Sequence, residues 1–316
     1  MTMKLRIKNC GLRMPSGPAA GRPEADSSFE IRRSKFASAF TLVEILVAVT
    51  LLSVIVIALM TVFNGTQTAF RAGVTQTDVL EGGRAAMDLI TADLRAMTPS
   101  LGASNGAVNF YAQIPSGYVP LTQPLVASSN QQRTNVLENF FILSRENRTW
   151  TGVGYAVDTA SANAINPLYR FSMSTNVMNG NPWLLFYAFT NAVAAGNFTG
   201  MSHLMDGVVG LTVRAFDTNG VWMNIGYTNA MNVRFVSSSL GEPGVYMFSN
   251  TVPAMAEVEL AALEDRTLQR AESLPNNLPA APPNDRRTIY LQGQAGTVHV
   301  FRQRVSIPNV DPSAYQ

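Results

Sequence analysis

A continuous apolar segment dominates the N-terminal part of the chain. Residues 40–63 read FTLVEILVAVTLLSVIVIALMTVF, and Glu44 is the one charged residue among them. A helix rises about 1.5 Å per residue and the hydrocarbon core of a bilayer is about 30 Å thick, so this segment is long enough to cross a membrane. A carboxylate within the hydrocarbon costs about 2.5–3.5 kcal/mol on insertion scales. We therefore expect Glu44 to have a partner.

The pattern becomes amphipathic after the apolar segment. From Thr66 to Met97 the apolar residues recur mostly at spacings of three and four, which is the helical period: Phe70, Val74, Leu80, Met87, Ile90, Leu94 and Met97. Pro99 ends this stretch. The helix is therefore predicted to continue through 64–98. Asn64-Gly65 is interpreted as a flexible joint in it, and Gly82-Gly83 as a site of close packing.

The remainder of the chain, 99–316, has the sequence pattern of a β-rich domain, which we call the head. Aromatic and β-branched runs alternate there with Asn, Gly, Ser and Pro clusters. The predicted strands are 107–112, 139–145, 152–157, 168–174, 183–189, 208–217, 221–225, 232–236, 244–248, 256–263, 288–292 and 297–306. The predicted fold class is α+β, with a long N-terminal helix packed against an antiparallel β-rich head.

Two local patterns interrupt the strands. Asp217-Thr218-Asn219-Gly220 lies between two β-like runs and predicts a hairpin turn. Residues 265–274 predict a short surface helix, and the PNNLPAAPPNDRR stretch that follows has no apolar periodicity. A mobile insertion is therefore predicted near 265–287.

Charge is unevenly distributed, although the formal net charge is only +2. Residues 1–39 hold eight Lys and Arg against three acidic residues, which leaves 40–316 at −3. All three lysines lie in 1–39 and no basic run follows, so nucleic-acid binding is not expected. The single cysteine, Cys10, also precedes the apolar segment, so no disulfide is expected in 40–316.

The order of features before the apolar segment is informative. The basic stretch 32–35 comes first, then the small residues 37–39, and only then the apolar run. A secretory signal peptide has its small-residue cleavage site after the apolar region instead. Phe40-Thr41-Leu42-Val43-Glu44 resembles the mature N-terminus of the type IV pilin and pseudopilin family, with Ala39 where that family usually has Gly.

This resemblance implies a processing route and a set of partners. Residues 1–39 would be a cytoplasmic leader that a prepilin peptidase removes after Ala39, and the new N-terminus at Phe40 would be methylated. The chain would lie in a bacterial inner membrane with its head in the periplasm, and would enter a filament or its tip through an inner-membrane assembly platform. Glu44 would pair with the N-terminal amine of Phe40 on a neighbouring pilin or pseudopilin subunit.

Within that family the chain is most similar to J-type minor pseudopilins of type II secretion and to W-type minor pilins. The similarity rests on three segments: RAAMDLITADLRAM (84–97), MDGVVGLTVRAFDTNGVW (205–222) and PAMAEVELAAL (253–263). It implies a structural subunit of a type II secretion pseudopilus or a type IV pilus that helps to initiate or cap filament assembly.

Enzymatic chemistry is not predicted. Outside the leader the chain has two histidines, His203 and His299, and no cysteine. It has no H-E-x-x-H, no Walker-type glycine loop and no G-x-S-x-G elbow. Glu257 and Glu259 alternate with apolar residues, as on a strand with one solvated face. We therefore expect no catalytic residue, metal or other cofactor.

Two other functions remain open. One is a surface-exposed type IV minor pilin that acts in adhesion, motility or DNA uptake, which an exposed aromatic or basic patch on the head would favour. The other is a membrane-tethered binding or enzymatic domain with an uncleaved signal anchor, for which an intact leader would be the evidence.

Overall fold

The computed structural model of the chain describes residues 41–101, 107–125, 131–160, 164–176, 181–228, 232–274 and 286–315. The chain divides into two compact units, Met1–Thr61 and Val62–Gln316. Residues 1–39, which are predicted to be a leader ending at Ala39, and Phe40 lie outside the described residues, as do residues 275–285 of the predicted mobile insertion.

The described residues form helices, strands and short 3-10 turns. The α-helices are α1 (Leu42–Arg95), α2 (Trp183–Ala194), α3 (Asp265–Glu272) and α4 (Arg286–Gln292), and 3-10 turns cover Ala295–Thr297 and Pro312–Tyr315. The strands are β1 (Val108–Gln113), β2 (Leu121–Pro124), β3 (Gln132–Asn135), β4 (Asn139–Glu146), β5 (Thr149–Val157), β6 (Leu168–Asn176), β7 (Ser202–Met205), β8 (Val208–Phe216), β9 (Val233–Val236), β10 (Gly244–Phe248), β11 (Met255–Leu263) and β12 (Val298–Ser306).

The strands form three antiparallel sheets. The largest has seven strands in the order β7-β6-β5-β4-β1-β10-β9, the second has the order β12-β11-β8, and β2 pairs with β3 in the third. An isolated parallel bridge from Leu137 to Leu211 joins the outer side of β8 to the segment between β3 and β4. This architecture confirms an α+β fold with an antiparallel β-rich region.

The central strands of the seven-stranded sheet, β1, β4 and β5, are mostly buried on both faces. On β4, Phe140 and Ile142 enter the main core, whereas Phe141 and Leu143 enter a second core beneath α2. Successive side chains of a strand point to opposite faces, so a strand buried on both sides has a continuous apolar run. The sequence of β4, NFFILSRE, begins with such a run and becomes exposed only at its end.

The amphipathic part of α1 contributes to the main core through its later turns. Met87, Ile90, Leu94 and Met97 are buried there, as the helical spacing predicts. Phe70 and Val74 belong to the same predicted stripe but are 72% and 45% exposed. The stripe is therefore buried only in its later part.

The two predicted irregularities of α1 differ in outcome. The helix is continuous through Asn64-Gly65. Gly83 is buried, and a Cβ atom placed there would collide with the ring of Phe301 on β12, whereas Gly82 has open space around it. Close packing is thus confirmed for Gly83 alone.

Residues 183–189, predicted as a strand, form the first part of α2 instead. Leu185 and Phe189, four residues apart, are buried against the sheet. Gly196 ends the helix with a φ of +63°, donating its N–H to Val193 O, while Asn197 N–H donates to Ala192 O. That is a Schellman cap. A short apolar run fits a strand or a helix equally well. The glycine at position 196, which forms the helix cap, was the sequence signal that favoured a helix.

Other strand predictions also fail at short or polar segments. Residues 288–292 lie in α4 and not in a strand. The strand predicted at 221–225 is reduced to a single β-bridge between Phe216 and Trp222. Strands β2, β3 and β7 were not predicted, because their sequences LTQP, QRTN and SHLM are short and mostly polar. β2 and β3 pair antiparallel, and an amide contact also joins them, in which Asn135 Nδ2 donates to Gln123 Oε1 at 2.9 Å.

The turn at Asp217 is confirmed. Asp217 N–H donates to Val221 O at 3.0 Å, and Gly220 has a φ of +77°. The Asp217 carboxylate accepts hydrogen bonds from the N–H groups of Asn219 and Val221 and from the hydroxyl of Tyr227. These donors occupy both oxygens, which supports a turn rather than a cation loop. The surface helix predicted at 265–274 is present as α3.

Candidate membrane and assembly segment

The start of α1 is closed by a hydrogen-bonded pair, Thr41 and Glu44. Thr41 donates its backbone N–H to Glu44 Oε2 at 2.9 Å and its hydroxyl to the same oxygen at 3.0 Å, while Glu44 N–H donates to Thr41 Oγ1 at 3.3 Å. This is a capping box, in which a Thr and a Glu three residues later satisfy the free N–H groups at a helix start. The T-x-x-E signal was present in the sequence, but Glu44 was interpreted there through an intermolecular partner alone.

The predicted site residues are only partly within the described chain. Glu44 is exposed, and its carboxylate bonds to Thr41, the residue that directly follows Phe40. Ala39 and Phe40, predicted as the cleavage and methylation positions, lie outside the described residues. The cap places the Glu44 carboxylate beside the backbone N–H of Thr41.

The apolar segment of α1, residues 42–63, is not covered by other apolar residues within the part of the chain that the structure describes. Its large apolar side chains are all between 47% and 79% exposed. This helix is long and apolar enough to cross a membrane. Exposed apolar area of this extent is unfavourable in water at roughly 25 cal/mol per Å², and exposed apolar patches of this kind commonly mark surfaces that contact a membrane or another protein.

Polar side chains in the apolar segment are satisfied within the helix. Thr50, Ser53 and Thr61 donate their hydroxyls to the carbonyls of Val47 at 2.9 Å, Val49 at 2.7 Å and Ala58 at 2.7 Å. A polar group in hydrocarbon must find its partner internally, because no water is available there. These hydroxyls therefore add little to the cost of placing the segment in a bilayer.

The end of α1 is attached to the head by polar contacts as well as by the core. Asp93 accepts hydrogen bonds from the guanidinium of Arg170 and from the hydroxyl of Tyr155. Asn309 Nδ2 donates to Met97 O at 3.0 Å, and Thr98 N–H donates to Leu143 O at 3.0 Å. The carbonyl of Met97 and the N–H of Thr98, just beyond the helix end, thus have partners.

Charged residues on the three-stranded sheet form a ladder that we call the charged face: Arg214, Glu257, Glu259, Arg302 and Arg304. Glu257 lies opposite Arg214 on one side and Arg304 on the other, and Glu259 lies opposite Arg302. Arg304 Nη2 and Glu257 Oε2 are 2.9 Å apart. The alternation predicted for this strand is confirmed, since Val258 and Leu260 are buried, but the side chains of Glu257 and Glu259 are only 15% and 24% exposed.

A polar cavity of about 130 Å³ lies at one end of the charged face, lined by Arg133, Asn135, Arg214, Glu242 and Glu259 among others. Arg133 Nη2 is 3.2 Å from Glu259 Oε1, and Arg214 Nε donates to Glu242 Oε1 at 3.0 Å. The cations and carboxylates there neutralise one another. The cavity consequently offers no set of unpaired acids for a metal.

The histidines and the remaining acids show no catalytic arrangement within the described residues. His203 Nε2 is 2.8 Å from Asp206 Oδ1, and His299 Nε2 is 3.0 Å from Glu264 Oε1. No group of three or more His, Cys, Asp or Glu side chains that could hold a metal occurs in the part of the chain that is described.

One buried carboxyl was missed by sequence reasoning. Glu138 is 2% exposed, and its Oε2 accepts a hydrogen bond from Val213 N–H at 2.6 Å. Burial raises the pKa of Glu138 to about 8, although the hydrogen bond opposes the shift. The backbone N–H of Glu138 also donates to Leu211 O at 2.8 Å. Glu138 therefore links β8 to the segment that directly precedes β4.

Comparisons with known protein families, with curated proteins and with solved structures find no match to this chain.

Proposed function

We propose that the chain is a minor pseudopilin or minor pilin, a structural subunit that helps to initiate or cap a type II secretion pseudopilus or a type IV pilus. The observation that carries the proposal is the N-terminal end of α1. There the FTLVE motif begins an apolar segment whose large apolar side chains are exposed among the described residues, and Glu44 lies at the first turn. Apolar helices of neighbouring subunits, or lipid before assembly, would cover this segment.

In this proposal the leader holds the N-terminus in the cytoplasm, since its eight basic residues favour that side of the inner membrane. A prepilin peptidase cleaves after Ala39 and Phe40 is methylated. The head then lies in the periplasm, and the inner-membrane assembly platform moves the subunit into the filament. Burial of apolar helix faces supplies the association energy, while Glu44 contributes register by pairing with a neighbour's N-terminal amine.

The decisive experiment is the N-terminal mass of the full chain, extracted from membranes with and without a co-expressed prepilin peptidase. We expect methylated Phe40 as the N-terminus only when the peptidase is present. Ala39→Arg is the matched variant, because it leaves 40–316 intact while placing a large charged side chain at the cleavage position. An N-terminus within 1–39 under both conditions would contradict the proposal and favour the uncleaved signal anchor.

A second candidate, a surface minor pilin acting in adhesion, is favoured by one observation on the head. The outward side of α2 exposes Trp183, Leu184 and Tyr187 at 40%, 46% and 54%, and the rings of Trp183 and Tyr187 lie 5.8 Å apart. The helix WLLFYAFTNAVA has no charged residue. A Trp183→Ala, Tyr187→Ala variant that assembles normally but loses adhesion would favour this candidate over a secretion role.

A further inference from the structure

Strand β12 forms an open edge of the three-stranded sheet. It pairs with β11 along its whole length, and no other strand pairs with it among the described residues. The opposite edge, β8, is covered by the segment that contains Leu137, where Leu211 N–H donates to Val136 O at 2.8 Å. An unpaired edge is a ready template for another strand.

The register determines which backbone groups of β12 point outward. Glu264 N–H donates to Thr297 O and Ile307 N–H donates to Ala254 O, both at 3.0 Å. These two bonds make the odd-numbered residues of β12 the hydrogen-bonded partners of β11, because the direction alternates along an antiparallel strand. The N–H and C=O groups of the even-numbered residues therefore face the open side: Val298, Val300, Arg302, Arg304 and Ser306.

The open edge is accessible from the side away from α1. Phe301 and Gln303 face the helix, where Phe301 meets Gly83 and Gln303 Oε1 accepts a hydrogen bond from Thr91 Oγ1 at 3.2 Å. The even-numbered side chains face the other way, and Val300 is 45% exposed. α1 therefore leaves the charged face uncovered.

The charges at this edge favour an acidic partner. The side chains of Arg302 and Arg304 are 57% and 50% exposed, whereas those of Glu259 and Glu257 behind them are 24% and 15% exposed. Guanidinium groups thus form the outer surface. Each has five N–H donors, more than its contacts with the glutamates require.

A second copy of β12 is a poor partner for the same edge. Two copies in antiparallel register would bring the Arg302 and Arg304 side chains of one chain against those of the other. Like charges directly opposite one another on paired strands are destabilising. A strand with carboxylates at alternate positions would instead place an acid beside each arginine, as β11 does from the other side.

We propose that β12 is a docking edge that accepts an extended segment of another protein, with Asp or Glu at alternate positions. Main-chain hydrogen bonds to the even-numbered residues would give affinity, and Arg302 and Arg304 would give selectivity for acidic segments. This inference rests on the edge strand and its charges, and it holds whether or not the chain enters a filament.

The test uses fluorescein-labelled nine-residue peptides of alternating Thr and Glu, Thr and Gln, or Thr and Lys. Each is titrated with the full chain in detergent micelles, and anisotropy is measured. We expect the Thr-Glu peptide to bind at least about tenfold more tightly than the Thr-Gln peptide, with affinity falling as salt rises. Equal binding of all three peptides would overturn the proposal.

A matched pair of variants separates strand addition from simple charge attraction. Val300→Pro removes an outward N–H at an edge position that tolerates proline, whereas Val300→Ala keeps that N–H. We expect the proline variant alone to lose at least about tenfold in affinity for the Thr-Glu peptide, with both variants folded by circular dichroism. Unchanged binding by a folded Val300→Pro would overturn the proposal.

Two further measurements test the role of the arginines and the possibility of self-association. If Val300→Pro does not fold, the Arg302→Gln, Arg304→Gln variant replaces it and must lose the preference for Glu over Gln; if the preference persists, the proposal fails. Sedimentation of the full chain in detergent tests whether a second copy of the chain pairs with the β12 edge instead. Self-association that Val300→Pro abolishes would assign the edge to a second copy and overturn the acidic partner.

Discussion

Arg170 of β6 holds Asp93 of α1 in a two-pronged ion pair. Arg170 Nε donates to Asp93 Oδ2 at 2.8 Å and Nη2 donates to Oδ1 at 2.9 Å. The two side chains are only 21% and 15% exposed, so water screens the pair incompletely. Because the partners lie on a helix and on a strand 77 residues later, the pair fixes the end of α1 to the seven-stranded sheet.

Removing the Asp93 charge should destabilise the head. In Asp93→Asn the guanidinium of Arg170 stays in place without its counterion, which should lower the free energy of unfolding by about 2–3 kcal/mol. Urea unfolding of the full chain in mild detergent, followed by near-ultraviolet circular dichroism, measures the change. Asp88→Asn, at an exposed position of the same helix, should change it by less than about 0.5 kcal/mol.

A double-mutant cycle then tests whether the two residues act together. Asp93→Asn, Arg170→Gln and the double variant should give a coupling energy of about 1–3 kcal/mol, since side chains in direct contact are not additive. Effects that simply add would mean that the ion pair contributes nothing to the attachment of α1.

The adjacent glycines of α1 should respond oppositely to the same substitution. Gly82→Ala should raise the free energy of unfolding by up to about 1 kcal/mol, because alanine favours the helix and the site is open. Gly83→Ala should lower it by about 1–3 kcal/mol, because the new methyl group collides with Phe301. Phe301→Leu in the Gly83→Ala background should restore part of the loss, and a loss that is not restored would contradict this explanation.

The sequence predicts the elements whose burial pattern is long and regular. α1 has a long apolar segment with Glu44 as its one charged residue, followed by a helical period, and β11 alternates Glu257 and Glu259 with buried Val258 and Leu260. These patterns extend over several residues, so they identify the element without knowledge of its neighbours.

Features that depend on distant partners could not be predicted. Asp93 and Arg170 look like ordinary surface charges in the sequence, and their pairing exists only because β6 lies beside the end of α1. Glu138 lies between Leu137 and Asn139 in the sequence, and only the packing of β8 against it provides the Val213 N–H that it requires. The helix that begins at Trp183 is a different case: its apolar run was too short for its period to distinguish a helix from a strand, but the C-terminal cap at Gly196 is a local signal.

Stability should depend on pH through Glu138. Its pKa is about 8 in the folded chain and 4.5 when unfolded. Between these values the folded state keeps a proton that the unfolded state has released, so stability falls as pH rises, by at most about 1.4 kcal/mol per pH unit. Glu138→Gln keeps an oxygen for Val213 N–H but cannot ionise, so its stability relative to the native chain should increase from pH 5 to pH 8.

The measurement is the difference in free energy of unfolding between Glu138→Gln and the native chain across that range. Contributions from other titrating groups cancel in the difference. A constant difference for Glu138→Gln would mean that Glu138 is ionised in the folded chain.

The capping box allows two roles of Glu44 to be separated. Glu44→Gln keeps an oxygen that can accept the Thr41 N–H and so preserves the cap, but it removes the negative charge; Glu44→Ala removes both. If Glu44 pairs with a neighbour's N-terminal amine, both variants should be processed at the N-terminus yet be absent from the sheared filament fraction. Mass spectrometry of the membrane pool measures processing, and immunoblotting of the sheared fraction measures assembly. If Glu44→Gln assembled like the native chain while Glu44→Ala did not, the cap alone would account for the requirement, and the charge pairing would be wrong.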